Sequence, residues 1–267
     1  GLLVASFFMI IALIGPMLSP FSPSELSESF RVPPFWQQTE GVTHWLGTDD
    51  VGRDTLSRLI YGSRVSLMIG FFVVLLSSSI GVLLGILAGY YGGVIDKIIM
   101  RMMDILMALP SILLAIVVVS ILGPGLNNAI IAVAIVSIPS FTRIIRAGVI
   151  EERQKQYVLA AQTFGASDLR IMFSEILPNC MAPLIIQSTL GLSDGILNAA
   201  ALGFLGLGAQ PPTAEWGIML SDARSFIESS PWMVTLPGLC ILLVVLSFNL
   251  LGDGLRDALD PRLKKGH

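Results

Sequence analysis

Gln187, Gly191, Asp194 and Asn198 recur at i, i+4, i+7 and i+11 inside an otherwise apolar run, the spacing of one helical face. Such a stripe can hydrogen-bond a polar solute, and Asp194 can attract a positive charge. An aspartate in mid-membrane costs a few kcal/mol if it faces lipid, so Asp194 must face protein or water. Both a route for cargo and a hydrogen-bonded contact with a neighbouring helix satisfy that demand. Asp49, Asp50 and Asp54 invite calcium, but their spacing departs from an EF-hand loop. Thr48 or Asp49 capping a short helix, with Asp54 and Arg58 paired at i,i+4, is the simpler reading. His44 and His267 are the only histidines, so no histidine cluster for zinc or haem can be assembled and no serine finds a histidine base within the apolar runs. No G-x-x-x-x-G-K-[ST] stretch occurs, so ATP phosphates have no P-loop here. Gly203, Gly206 and Gly208 lack the following Lys-Ser/Thr and are read as a bend or a close helix approach.

The elements that must position these residues are membrane helices. Of 267 residues, 54% are hydrophobic and only 13% charged, against roughly 25% charged in soluble domains. The net charge of -3 and the absence of a basic patch give no sign of nucleic-acid binding. Apolar runs lie at 2–18, 64–90, 104–122, 128–148, 180–204 and 232–252, each near the ~20 residues that a ~30 Å hydrocarbon core requires, and they predict six spans. The first run lacks a basic start and a small-residue cleavage site, so it is read as a span whose preceding tail is missing rather than as a signal peptide. Pro110 and Pro139 mark expected kinks, and Arg143 and Arg146 are expected to snorkel toward the interface. Cys180 and Cys240 are placed at opposite faces as core thiols, unable to form a disulfide together.

One polar segment, from Tyr157 to Pro178, separates the fourth run from the fifth. A helix is expected to end near Gly165, and Ser167 to N-cap a second helix that Pro178 closes. Leu169, Ile171, Met172, Phe173 and Ile176 make that second helix apolar, while Asp168, Arg170 and Glu175 keep it out of lipid. Its partner should therefore be another protein. With this segment inside, Lys97, Arg101, Arg143, Arg146, Arg153, Lys155, Arg170, Arg256, Arg262, Lys264 and Lys265 are cytoplasmic, while Arg31, Arg53, Arg58, Arg64 and Arg224 lie outside. That bias predicts cytoplasmic termini.

Ala160-Ala161, Gly165 and Leu177-Pro178 stand at spacings that resemble the EAA loop, with which permeases of ABC importers dock onto their ATPases. Leu159 stands where many members carry glutamate, and Glu175 where an apolar residue is frequent. The stretches 46–54, 200–220 and 248–261 resemble signatures of the dipeptide/oligopeptide/nickel branch of these permeases, and the overall likeness is nearest to the second, C-type permease subunit. The resemblance implies an all-α integral membrane protein with six transmembrane helices, of type I importer permease architecture. Its parts would be a first span at 1–19, an extended extracytoplasmic segment at 20–63, a five-helix core at 64–252 and a cytoplasmic tail at 253–267. The core would carry a docking loop at 151–178 and an extracytoplasmic loop at 205–231. Ala160, Ala161, Gly165, Asp168, Leu169, Leu177 and Pro178 would dock the ATPase; Gln187, Asp194 and Asn198 would line the translocation pathway. The implied function is half of the pathway of an ATP-driven importer for dipeptides or short oligopeptides in the bacterial inner membrane. Implied partners are a homologous second permease, two cytoplasmic ATP-binding subunits, an extracytoplasmic solute-binding protein and membrane lipid, with no nucleic acid. The chain itself would hold no cofactor, ATP and Mg being bound by the partners. Nickel, haem, glutathione or antimicrobial peptides are alternative cargoes of similar permeases. An intramembrane hydrolase and a self-gated channel are weaker alternatives, since no nucleophile constellation or filter signature is present.

Overall fold

The computed structural model describes residues 1–37 and 44–259, so the expected tail is seen only as far as Leu259. Helices α1 (Leu2–Leu18), α2 (Thr55–Tyr91), α3 (Gly93–Met107), α4 (Ser111–Leu122), α5 (Leu126–Glu152), α6 (Gln156–Thr163), α7 (Asp168–Arg170), α8 (Met181–Phe204), α9 (Trp216–Ala223) and α10 (Trp232–Leu259) follow one another. The described residues contain no β-strand beyond an isolated Thr48–Asp54 bridge. Thr55–Tyr91, Leu126–Glu152, Asp168–Phe204 and Trp232–Leu259 are each long and apolar enough to cross a membrane. The bent α3–α4 pair supplies a fifth crossing if it is counted as one, and α1 is a shorter apolar helix of 17 residues.

Several boundaries differ from those read in the sequence. The second helix starts at Thr55 rather than at 64, because Asp54 is its N-cap, accepting from the Ser57 backbone N–H and hydroxyl at 2.7 Å each. Neither Thr48 nor Asp49 caps it. Nor does Asp54 pair with Arg58: its carboxylate is taken up by Ser57 and by His44 Nδ1 at 2.9 Å, while Arg58 Nε reaches Asp49 at 3.5 Å. The third apolar run is broken. Pro110 disfavours a helical Leu109, and α3 and α4 meet at 94°. Pro139, in contrast, stays inside α5.

Pro178 does not close a helix either. From Asp168 to Phe204 the chain is helical throughout, passing through a π turn at Ile171–Ile176 and a 3-10 turn at Leu177–Cys180 before α8. Leu177 N–H donates to Met172 C=O, five residues back. A proline lacks an N–H and crowds the carbonyl four residues earlier; this change of winding accommodates it.

Small residues set how the bundle packs. Gly81, Gly85 and Gly89 repeat every fourth residue on α2, and a Cβ at each would lie 2.5–2.7 Å from Phe141 Cβ, Thr142 O and Val149 Cβ of α5. Without them the two backbones could not approach so closely. At the other end of the bundle, α9 lies within the extracytoplasmic loop expected at 205–231. Glu215 caps it, accepting from Gly217 N at 2.7 Å, Ile218 N at 2.9 Å and Ser66 Oγ at 3.3 Å. Burial pushes the Glu215 carboxyl above its usual range, against those three donors. Trp216 is fully buried, donates Nε1–H to Leu59 O at 3.1 Å and meets Phe8 edge-on. Of the glycines read in the sequence as a bend or a close approach, Gly203 and Gly208 are tightly packed, a Cβ on Gly203 lying 2.7 Å from Glu215 Oε2 and one on Gly208 2.8 Å from Gly203 Cα, while Gly206 turns the chain at φ +78°.

Candidate functional site

The segment between α5 and α8 is built on a helix end made by glycine. Gly165 has φ +77° and donates to Gln162 O at 3.0 Å; Ala166 N–H donates to Ala161 O at 3.0 Å. This pair of bonds is a Schellman motif, which satisfies the last carbonyls of α6 and turns the chain into Ser167. Ser167 occupies the N-cap position of α7, though its hydroxyl makes no capping bond. Gly165 has no atom within 4 Å of a built Cβ, so its backbone conformation, rather than crowding within the chain, calls for glycine.

Three anchors join this turn to the bundle. Asp168 accepts from Tyr90 OH at 2.8 Å and Tyr91 OH at 3.4 Å, tying it to the end of α2. Glu152, buried at the end of α5, accepts from Lys155 Nζ and Tyr157 OH. Burial, with that carboxylate as hydrogen-bond acceptor, pushes the Tyr157 phenol up to about 12. Asn179 donates to Tyr157 OH at 3.1 Å and to Glu175 O at 2.8 Å, extending the network toward α8. The third anchor is apolar. Ile171, Met172 and Ile176 are buried with Ile86, Ile145, Val149 and Val158, and Leu177 packs against them. Much of the apolar face expected to await another protein is therefore covered by the chain's own α2 and α5.

What remains outside is a different apolar ridge. Leu159, Phe164, Leu169 and Phe173 are exposed, Phe164 at 90%. Ala160, Gly165 and Asp168 are exposed beside them, Ala161 is half-buried, and Pro178 is exposed on the neighbouring 3-10 turn. Phe164 was missed by the sequence reading; an aromatic residue directly before a helix-ending glycine, in a segment too polar for lipid, was the available signal.

Gln187, Gly191, Asp194 and Asn198 all line one open cleft of about 410 Å³. Ser137, Ser140 and Phe141 of α5, with Met107, Leu109 and Ser111 at the α3–α4 break, form its other walls. Asn198 Nδ2 donates to Asp194 O at 2.8 Å, but among the described residues the Asp194 carboxylate accepts no hydrogen bond. Gln187 also borders a second cleft, of about 720 Å³, that reaches Lys155, Asn179 and Arg256 at the α6 end. Arg143 and Arg146 do not simply snorkel: they pair with Asp104 at 2.7 Å and Asp96 at 2.5 Å on α3. The two cysteines are free, Cys180 in the core beside α6 and Cys240 against the core around Trp216. Among the described residues no cluster of three or more His, Cys, Asp or Glu could hold a metal.

Residues 81–265 match the family described as binding-protein-dependent transport system inner membrane component. The chain is 53% identical to a dipeptide transport system permease protein of Haemophilus influenzae, covering 99% of this chain and 90% of that protein. It is 55% identical to a di/tripeptide transport system permease protein of Pseudomonas aeruginosa, over 99% of this chain and 88% of the relative. A glutathione transport system permease protein of Pectobacterium atrosepticum is 51% identical over 83% of this chain and 73% of its own length. Among solved structures, a chain of the methionine ABC transporter in an inward-facing conformation has a TM-score of 0.61 at 18% identity, covering 76% of this chain and 96% of that one. At that identity the likeness concerns the fold, which is the type I importer permease fold.

Proposed function

The chain belongs to the family of binding-protein-dependent transport system inner membrane components, and from that premise we propose that it carries dipeptides or short oligopeptides as one half of a two-permease pathway. It is a multi-pass permease subunit of an ABC importer, not an enzyme. The support for peptide cargo is the near full-length likeness to dipeptide and di/tripeptide permeases. Glutathione is the second reading, supported by the Pectobacterium relative and itself a short peptide. Six spans with both termini and the α6–α7 turn in the cytoplasm would place eleven of the 16 Lys and Arg inside. A homologous second permease would complete the pathway, an extracytoplasmic solute-binding protein would deliver cargo, and two cytoplasmic ATPases would hold ATP and Mg.

The observation that carries the coupling role is the exposed ridge of Leu159, Phe164 and Leu169 on a turn locked to three long helices. Closure of the ATPases would press on this ridge. The push would reach α2 through Asp168 and Tyr90, α5 through Tyr157 and Glu152, and α8 through the unbroken helix. Because α5 and α8 wall the cleft that holds Asp194, the same displacement would open one end of the cleft and narrow the other. Ala160, Ala161 and Gly165 would admit the partner closely, and Leu177 and Pro178 would set where the ridge joins α8.

Phe164→Ser is expected to weaken co-purification of the ATPases roughly tenfold, as loss of an exposed aromatic anchor does at protein interfaces. Gly165→Trp should abolish ATP-dependent uptake while the subunit still inserts. Uptake and co-purification unchanged in both variants would remove the docking assignment.

A further inference from the structure

Helix α3 exposes an apolar face that no helix among the described residues covers. Val94, Ile98, Met102 and Ile105 recur at i, i+4, i+8 and i+11, and each is between 57% and 70% exposed. Met103, on the opposite side, is buried. The charged residues of α3 are sorted by direction. Asp96 and Asp104 turn to α5, where Arg146 and Arg143 neutralise them. Lys97 and Arg101 are exposed along the edge of the apolar face, and among the described residues no carboxylate pairs with either.

The orientation of α3 follows from the same ion pairs. Asp96 and Asp104 are eight residues apart, about 12 Å along α3, whereas their partners Arg146 and Arg143 are three residues apart, about 4.5 Å along α5. Helix α3 therefore runs steeply across α5, in keeping with its 94° angle to α4, which packs beside α5. A helix crossing the spans, apolar on one face and basic along its edge, is the pattern of a helix seated in the plane of a membrane surface.

We propose that α3 lies in the leaflet on the α6 side of the membrane and binds anionic phospholipid, with its apolar face among the acyl chains and Lys97 and Arg101 on the headgroup phosphates. Charge complementarity selects this occupant. A purely apolar partner would leave the two cations unanswered, and the two carboxylates that could have repelled an anionic headgroup are already held by α5. The Asp96–Arg146 and Asp104–Arg143 pairs fix the roll of α3, and the α3–α4 break contributes Met107, Leu109 and Ser111 to the Asp194 cleft. Lipid at α3 thus bears on a wall of that cleft.

The test uses the complete transporter in nanodiscs of phosphatidylcholine with and without phosphatidylglycerol. In this chain Ile98→Cys would carry a nitroxide on a Cys180→Ala, Cys240→Ala background. Power saturation should place the label just below the headgroups, accessible to oxygen. Phosphatidylglycerol retained on the complex, read by native mass spectrometry, should fall about fivefold for each of Lys97→Gln and Arg101→Gln, the equivalent of ~1 kcal/mol per basic residue. A label shielded from both oxygen and water-soluble relaxant would show that another protein, such as a second permease, covers α3, and would overturn the proposal. Equal phosphatidylglycerol retention by wild type and the Lys97→Gln, Arg101→Gln double variant would overturn it as well. Both readouts are independent of whether the cargo is a peptide.

Discussion

Asp194 stands on an α8 face with Gln187, Gly191 and Asn198, and the spacing of these four residues alone is enough to put them together. What spacing could not supply was the opposite wall: Ser137, Ser140 and the residues of the α3–α4 break come from distant parts of the chain. A carboxylate with no hydrogen-bond donor among the described residues is free to act on a passing charge. Asp194→Asn keeps the shape and removes the charge, so it is expected to leave assembly intact while lowering the preference for cationic over neutral peptides roughly fivefold or more, since unit charges ~4 Å apart in a partly hydrated site interact by about 1–4 kcal/mol. Competition uptake with peptides of differing charge measures it, and an unaltered preference would make Asp194 a structural residue. Phe164 illustrates the reverse limit. A single exposed aromatic residue has no periodicity to announce it; its place directly before the helix-ending Gly165 is the one sequence signal, and its 90% exposure marks it out in the structure.

Among the elements, the α2–α5 pair owes its close approach to three glycines. A side chain at Gly85 would meet Thr142 O at 2.7 Å, and a backbone oxygen cannot swing aside. Gly85→Leu is therefore expected to cost about 1–3 kcal/mol or more and to lower the thermal midpoint of the purified complex. Gly254→Ala, where nothing lies within 4 Å of a built Cβ, should leave it unchanged or slightly raised. Equal behaviour of the two variants would contradict the close-packing account. Apolar runs located most of the long helices because composition over ~20 residues is a strong signal. They failed where local chemistry overrides composition. The Asp54 cap extends α2 beyond the apolar run, Pro110 divides one run into two helices, and Pro178 is absorbed by altered winding. Helix α9 was invisible because an eight-residue helix capped by a buried glutamate has too few turns to show a period.

Across the whole molecule, the two ends of the bundle differ in construction. One end is closed by α9, whose Trp216 fills the core between α1 and α2 and whose Asp222 lies 3.4 Å from Arg53. The other carries the α6–α7 turn. If the turn is cytoplasmic, single cysteines replacing Gln154 and Glu28, both exposed, should label from opposite sides of a sealed membrane. Labelling of both from one side would refute the proposed topology. Sidedness was legible only as a bias in Lys and Arg, because hydropathy is blind to direction. The passage from the turn into α8 has one more property. Its π turn at Ile171–Ile176 is underwound relative to an α-helix, and the 3-10 turn at Leu177–Cys180 that follows is overwound. The two departures have opposite sense, so their twists offset. The offset is partial, yet the helix runs unbroken from α7 into α8 although a proline sits between them, so a displacement applied at the turn is carried by one continuous helix toward the Asp194 face.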